Sequence, residues 1–127
     1  MLRPIPNDLL KYTAVISVCS GMDKWQNPTW TDYTVARVHL QATNEIRRTR
    51  DNAEVVLRSM LWIDGRRSHP RLDWYALQKQ SEDNGRELRV VMRDIRGNGL
   101  GEFTVKTVDA LPDSPSDRIH HWELGMV

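Results

Sequence analysis

Cysteine is almost absent from this sequence, phenylalanine occurs once, and no long apolar run is present. A lone Cys19 excludes an intrachain disulfide framework, and its place in an apolar stretch favours a buried small side chain over a nucleophile. No segment approaches the ~18 apolar residues of a membrane-spanning helix or the core of a secretory signal. The sequence therefore predicts a soluble protein that is not secreted.

Neither sign of charge dominates, because 18 Lys and Arg stand against 17 Asp and Glu, a formal net charge of +1. No overall field therefore draws the chain to nucleic acid or to an acidic membrane, and any attraction to DNA has to be local. Arg47, Arg48 and Arg50 form a basic cluster, which Glu45 and Asp51 partly cancel. On a monomer this pattern favours a solvated loop.

The length of 127 residues suits one domain, residues 1–127, because such a chain buries roughly two thirds of its unfolded surface. Five Trp residues against one Phe are unusual for so small a chain. Tryptophan is common both in cores and at the centres of protein interfaces. The sequence leaves open which of the five belong to which.

Alternation of apolar and polar residues predicts a chain of short strands. Six segments have this pattern: residues 12–19, 34–41, 53–63, 88–95, 103–108 and 119–127. A Gly-Asn-Gly turn at 97–99 predicts a β-hairpin over residues 88–108, and residues 41–53 are predicted to be a loop. Residues 74–77 fit a short helix or a strand. The predicted fold class is all-β, a small barrel or sandwich of about six strands with long loops.

The sequence holds no strong sign of catalysis or of metal binding. Gly97, Gly99 and Gly101 precede a strand, whereas the glycines of a phosphate-binding loop precede a helix. His120 and His121 are adjacent, and neighbours on a strand are expected to point to opposite faces, which argues against a shared zinc ion. We predict no enzyme, no cofactor and no metal site.

Segments spread over almost the whole length resemble the minor capsid protein family of siphophages and prophages. They are Arg3-Pro4-Ile5-Pro6 with Leu9-Leu10, Trp25-Gln26-Asn27-Pro28-Thr29 with Trp30, Leu61-Trp62-Ile63-Asp64 with Ser68 and Pro70, residues 101–109, and residues 118–127. Together they cover about half of the chain. Residues 71–98 depart from the family pattern, because a longer segment with Trp74-Tyr75 replaces a short turn.

The resemblance implies a structural virion protein of a tailed phage. It would be a head-tail connector of the stopper or head-completion kind, whose copies form a ring below the portal. Such a ring would retain packaged double-stranded DNA and dock the tail, and the chain would pass through the host cytoplasm during assembly. The resemblance also implies a channel loop, in which Arg47, Arg48 and Arg50 would contact DNA phosphates.

Ring formation needs large contact surfaces from a small chain, so tryptophans are candidate interface anchors. The candidates are Trp25, Trp30, Trp74 and Trp122. The portal or adaptor and a tail-completion protein would be the other partners. Two alternatives remain: an adaptor or tail-completion ring protein, and a monomeric single-stranded nucleic-acid binding barrel with exposed aromatics above a basic groove.

Overall fold

The computed structural model describes residue 5 and residues 7–49, 51–112 and 119–127. Eight strands and one α-helix follow a single turn of 3-10 helix at Asn7–Leu9. The strands are β1 Tyr12–Met22, β2 Pro28–Ala42, β3 Ile46–Arg48, β4 Glu54–Val56, β5 Ser59–Asp64, β6 Arg89–Arg93, β7 Gly99–Pro112 and β8 Ile119–Met126, and the helix is α1 Trp74–Asp83. No helix among the described residues is long and apolar enough to cross a membrane.

Six of the strands close into an antiparallel barrel in the order β1-β2-β5-β8-β7-β6. Closure pairs β6 with β1, so that Ser17 lies opposite Arg89 and Thr13 opposite Arg93. Closure gives each barrel strand a neighbour on both sides, which leaves less strand edge exposed to aggregation. The predicted all-β fold class is confirmed, and the barrel is the form that it takes.

One face of each barrel strand is apolar and points inward. The core consists of Ala14, Ile16, Val18, Val35, Val38, Leu61, Ile63, Trp74, Leu88, Val90, Met92, Val105, Val108, Trp122, Leu124 and Met126. On β6, for example, Val90 and Met92 are fully buried while Arg89 and Arg93 are exposed. The period of two that predicted this strand is therefore the alternation between core and solvent.

Helix α1 fills a gap in the barrel wall. The short strand β6 pairs with β1 no further than Ser17. Beyond that point, the Cys19 N–H donates to Ser81 Oγ at 3.2 Å, and Asn84 Nδ2 donates to the Cys19 carbonyl at 3.1 Å. Across the gap, the Ala110 N–H on β7 donates to Tyr75 Oη at 2.8 Å. Side chains of the helix region therefore satisfy backbone groups that a longer β6 would have paired.

The ends of α1 are defined by its capping residues. Asp73 accepts hydrogen bonds from the N–H groups of Tyr75 and Ala76, and Gly85 follows the helix with a φ of 73°. The buried face is formed by Trp74, Gln78 and Ser81. Because two of these three residues are polar, the sequence shows no apolar period over this segment. For that reason the sequence fits a helix and a strand equally.

Several predicted boundaries are wrong. β2 begins at Pro28, six residues before the predicted strand at 34–41, and β7 spans Gly99–Pro112 instead of residues 103–108. Residues 53–63 do not form one strand, because the chain leaves β4 at Val56 and begins β5 at Ser59. Residues 41–53 are not an irregular loop, since β3 pairs with β4 as a separate two-stranded sheet. The predicted hairpin over residues 88–108 is confirmed by the β6–β7 pairing.

Three hairpin turns share one geometry: residues 23–27, 49–53 and 94–98. In each turn the first N–H donates to the fifth carbonyl, at 2.8 to 3.0 Å. The side-chain oxygen of the first residue, Asp23, Thr49 or Asp94, accepts from the fifth N–H. The fourth residue has a positive φ in every case, 65°, 67° and 83°. This is the geometry of a three-residue hairpin loop, and it makes the turns well-defined projections.

Candidate interaction surfaces

The arm, defined as residues 43–58, extends from the β2–β5 hairpin and folds back over the outside of the barrel. It begins where the Thr43 N–H donates to the Arg58 carbonyl at 3.0 Å. The β3–β4 ladder follows, with Arg47 opposite Val55 and Ile46 opposite Val56. Since paired residues on antiparallel strands share a face, the first pair lies on the wall side and the second on the solvent side.

Arg47 holds the arm to the barrel. Its Nη1 donates to Asp109 Oδ2 on β7 at 2.8 Å, and its Nη2 donates to Glu123 Oε2 on β8 at 2.9 Å. Within the arm, its Nε donates to Glu45 Oε2 at 3.0 Å. Burial by itself lowers the Arg47 pKa, but the hydrogen bonds to the three carboxylates and the charge of Glu123 outweigh it and raise the pKa.

Leu57 is the second attachment of the arm. Its side chain is buried over β8 at Gly125, where an added Cβ would lie 2.5 Å from Leu57 Cδ1. The neighbouring Thr107 Oγ1 is buried under the same contact and has no hydrogen-bond partner in the part of the chain that the structure describes. Only glycine leaves room for the leucine here, so the wall is shaped to receive the arm.

The predicted phosphate-contacting arginines are not equivalent. Arg47 is neutralised by three carboxylates within the chain, which argues against the predicted DNA contact for this residue. Arg48 lies on the solvent side, its side chain 60% exposed, with a single ion pair to Glu54. Arg50 lies outside the described residues. For Arg48 and Arg50 the DNA contact stays a prediction.

The tryptophans divide between core and surface. Trp74 is fully buried and meets Tyr33 edge to face at 6.4 Å, and Trp122 is 6% exposed. The prediction that these two anchor an interface is wrong, because the fold of the single chain already covers both indoles. Trp25 is 70% exposed at the third position of its turn, and Trp30 is half-buried beneath the Arg89 guanidinium at 4.6 Å. For these two the interface role stays a prediction.

Large apolar side chains project from three separate elements. The solvent side of the arm exposes Ile46 (64%) and Val56 (59%). The turn at 94–98 exposes Ile95 (83%), and the turn at 23–27 exposes Trp25. Because β1 and β6 run antiparallel and each leads into one of these turns, the two turns lie at opposite ends of the barrel. Apolar contact area is thus offered at both ends.

A row of aromatic and titratable side chains crosses the outside of β2, β5 and β8. Trp62 stacks on His121 with a centroid distance of 5.1 Å and meets His39 edge to face at 5.9 Å. His121 Nε2 lies 3.2 Å from Glu123 Oε1, and its Nδ1 lies 2.8 Å from His120 Nδ1. The row therefore connects to the Arg47 ion pairs through Glu123.

The expectation that His120 and His121 point to opposite faces is wrong. The β7–β8 register pairs Leu111 with His121 and then Pro112 with Ile119, so His120 is the extra residue of a bulge. A bulge turns side chains out of strict alternation, which brings the two imidazoles together. Within the described part of the chain, no group of three or more His, Cys, Asp or Glu is arranged to hold a metal ion.

An open cleft of about 730 Å³ lies between the end of β5 and the start of α1, lined among others by Asp64, Arg66, Trp74 and Tyr75. Asp64 is the most buried carboxylate there, 5% exposed. Its Oδ1 accepts from the N–H groups of Arg66 and Arg67, so it stabilises the turn that follows β5. Ser68 also lines the cleft, where its hydroxyl donates to the Arg37 carbonyl and accepts from the Asp64 N–H, so it bonds to backbone groups and not to a general base.

Neither a protein-family model, nor a curated protein, nor a solved structure matches this chain.

Proposed function

We propose that the chain is a ring-forming connector subunit of a tailed-phage virion. Its copies would close below the portal as a stopper or head-completion ring, retain packaged DNA and present a docking surface to the tail. The closest alternative within this class is an adaptor or tail-completion ring, which would use the same surfaces. The sequence resemblance supports the proposal, as do the apolar projections of a closed barrel.

The elements that project from the barrel favour a ring-forming subunit. A ring subunit needs two different faces that meet head to tail, each burying about 800 Å² per partner. Each of the six barrel strands already pairs with two neighbours, although β2 pairs with β5 only over residues 38–42. Elements that project from the barrel can supply further contact area, and the arm and both turns expose large apolar side chains.

The test measures assembly. Purified protein is examined by native mass spectrometry and by negative-stain electron microscopy, alone and with the portal of the phage that encodes it. Closed rings, alone or on the tail-side opening of the portal, are the expected result. A protein that stays monomeric at high concentration and leaves the portal undecorated contradicts the proposal.

Matched variants connect the rings to the projections. Ile46→Asp and Ile95→Asp each place a charge in a predicted contact and should abolish rings without altering the monomer fold. Ser20→Asp is the control, because it adds the same charge at an exposed position of β1. If rings persist in both isoleucine variants, neither the arm nor the turn at 94–98 contributes to the contact between subunits.

A monomeric single-stranded nucleic-acid binding barrel is the rival from another class. The pairing of Lys24 with the Trp25 ring, at 4.2 Å to the centroid, is the observation that favours it. Such a module should bind a labelled oligonucleotide tightly as a monomer, and Trp25→Ala should weaken binding by about 1–3 kcal/mol if bases stack there. A connector needs no such binding by the monomer.

A further inference from the structure

Four arginines follow the outside of β6 and the loops on either side of it. Arg89 and Arg93 lie on the outward face of the strand, Arg86 precedes it and Arg96 lies in the turn that follows. All four are exposed. We call this set the β6 arginine strip.

The strip has no internal counter-charge that the described residues show. Among the described residues, none of its four guanidinium groups forms an ion pair with a carboxylate. Arg47, Arg48, Lys79 and Lys106, by contrast, each have a carboxylate partner. Exposed bases without partners create a positive field even on a chain whose net charge is close to zero.

Most nearby carboxylates have other roles. Asp94 accepts the N–H groups of Arg96 and Asn98 within its turn, and Glu87 pairs with Lys106 at 2.8 Å. Asp32 accepts from Ser17 Oγ at 2.6 Å. Glu102, opposite Val91 on β7, is the carboxylate beside the strip without such a role. Asp32, Asp94 and Glu102 keep their negative charges and reduce the field of the strip, but among the described residues none of them forms an ion pair with its four guanidinium groups.

We propose that the β6 arginine strip binds the phosphodiester backbone of duplex DNA without regard to base sequence. Guanidinium groups pair with phosphate oxygens in a fixed, bidentate geometry. Arg89 and Arg93 are four residues apart on a strand, about 13 Å, a distance over which one DNA strand presents about four phosphates. Arg89 lies over the half-buried Trp30 ring, 4.6 Å from its centroid, so the strip presents mainly charge to a ligand.

This binding belongs to the single subunit and does not rest on the proposed ring. A labelled duplex of random sequence is titrated with the protein by fluorescence anisotropy, at several salt concentrations. Non-specific sites of this kind have dissociation constants of roughly 10⁻⁴ to 10⁻⁶ M at physiological salt, and the affinity rises as salt falls. A second duplex of different sequence should bind equally well.

Two sets of variants distinguish binding by the β6 arginine strip from a general effect of net charge. Arg89→Gln, Arg93→Gln and Arg96→Gln together should lower the slope of log affinity against log salt by roughly 3, because each lost phosphate contact removes about 0.9. Lys24→Gln, Arg58→Gln and Lys79→Gln together change the net charge equally and should leave the slope nearly unchanged. Arg93→Gln alone should lower it by roughly 1, which keeps the test valid if the triple variant folds poorly.

Four results overturn the proposal. They are no binding of duplex to the wild-type protein at low salt, equal loss of binding in the two triple variants, binding to vesicles that contain phosphatidylserine but not to duplex, and preferential binding of single strands that Trp30→Ala abolishes. Circular dichroism and urea unfolding of every variant show whether the barrel is intact. Failure of this binding would leave the ring proposal standing, because ring formation is measured without DNA.

Discussion

At the scale of single residues, the tryptophans show how one residue type takes two roles. Trp74 fills the core from a helix and Trp25 projects from a turn. The sequence could not separate them, because Trp74 begins a segment whose buried face is mostly polar, while Trp25 stands among turn formers that could equally have packed on the body. Burial depends on where the barrel closes, which local spacing does not encode.

Trp74→Ala and Trp25→Ala form a matched pair. Removing the fully buried indole should lower the free energy of unfolding by about 3–5 kcal/mol, because a large cavity remains. Removing the exposed indole should change it by less than about 0.5 kcal/mol. Urea unfolding followed by circular dichroism measures both. Similar losses in the two variants would mean that the assignment of core and surface is incorrect.

Asp94 gives the turn at 94–98 a dependence on pH. The N–H of Asn98, and then that of Arg96, donates to its carboxylate and lowers the Asp94 pKa below 3.8. A lowered folded-state pKa means that the charged form stabilises the fold above the unfolded pKa, and that this contribution disappears as the pH falls through the folded pKa.

Asp94→Asn should therefore be less stable than the wild-type protein at neutral pH, and the two should converge in acid. The measurement is urea unfolding of both proteins from pH 7 downward, together with an NMR titration of the Asp94 carboxyl carbon. A stability difference that does not change with pH would show that the charge of Asp94 has no part in holding the turn.

At the scale of secondary structure, the alternating strands were predictable and the arm was not. β6 and the first part of β7 alternate around a glycine turn, and the structure confirms their pairing. The arm contains one strongly apolar residue in its first strand, Ile46, and that residue faces solvent. The arm is stabilised by ion pairs of Arg47 with Asp109 and Glu123. These residues lie more than sixty positions from Arg47, so no local sequence pattern reveals the contacts.

Arg47→Met should release the arm. The loss of unfolding free energy is expected to be about 1–2 kcal/mol, because charged hydrogen bonds are removed from a partly exposed site. Hydrogen exchange should become faster at the Thr43 and Leu57 amides, which donate to the Arg58 and Glu45 carbonyls at the base of the arm. Arg48→Met is the control, since its exposed pair with Glu54 should contribute less than about 1 kcal/mol. Equal protection of the arm in both variants would contradict the role given to Arg47.

At the scale of the whole molecule, closure of the barrel means that each of its strands pairs with two others, so that losing one strand leaves two without a partner. β8 pairs with β5 on one side and with β7 on the other. The sequence predicts a strand at the end of the chain. It does not predict that this strand pairs with β5, because β5 lies more than fifty residues earlier in the chain. The same distance explains why the sequence left barrel and sandwich open.

Removing residues 120–127 should prevent folding, because it opens the barrel and exposes the apolar interior. Replacing residues 49–53 by Asn-Gly is the control, since it shortens the arm and leaves all six barrel pairings in place. Far-ultraviolet circular dichroism and one-dimensional NMR distinguish the two. A truncated protein with dispersed amide signals would show that five strands and the helix suffice for a stable fold.

The helix that completes the wall also decides where the molecule yields to force. Elsewhere around the barrel, neighbouring strands pair directly through backbone hydrogen bonds, with bulges in several of the ladders. Along the seam at Cys19 and Ala110, three hydrogen bonds through side chains span the gap. We therefore expect internal pressure, or a load around the circumference, to separate the barrel wall along that line first. The paired strands on either side should stay intact.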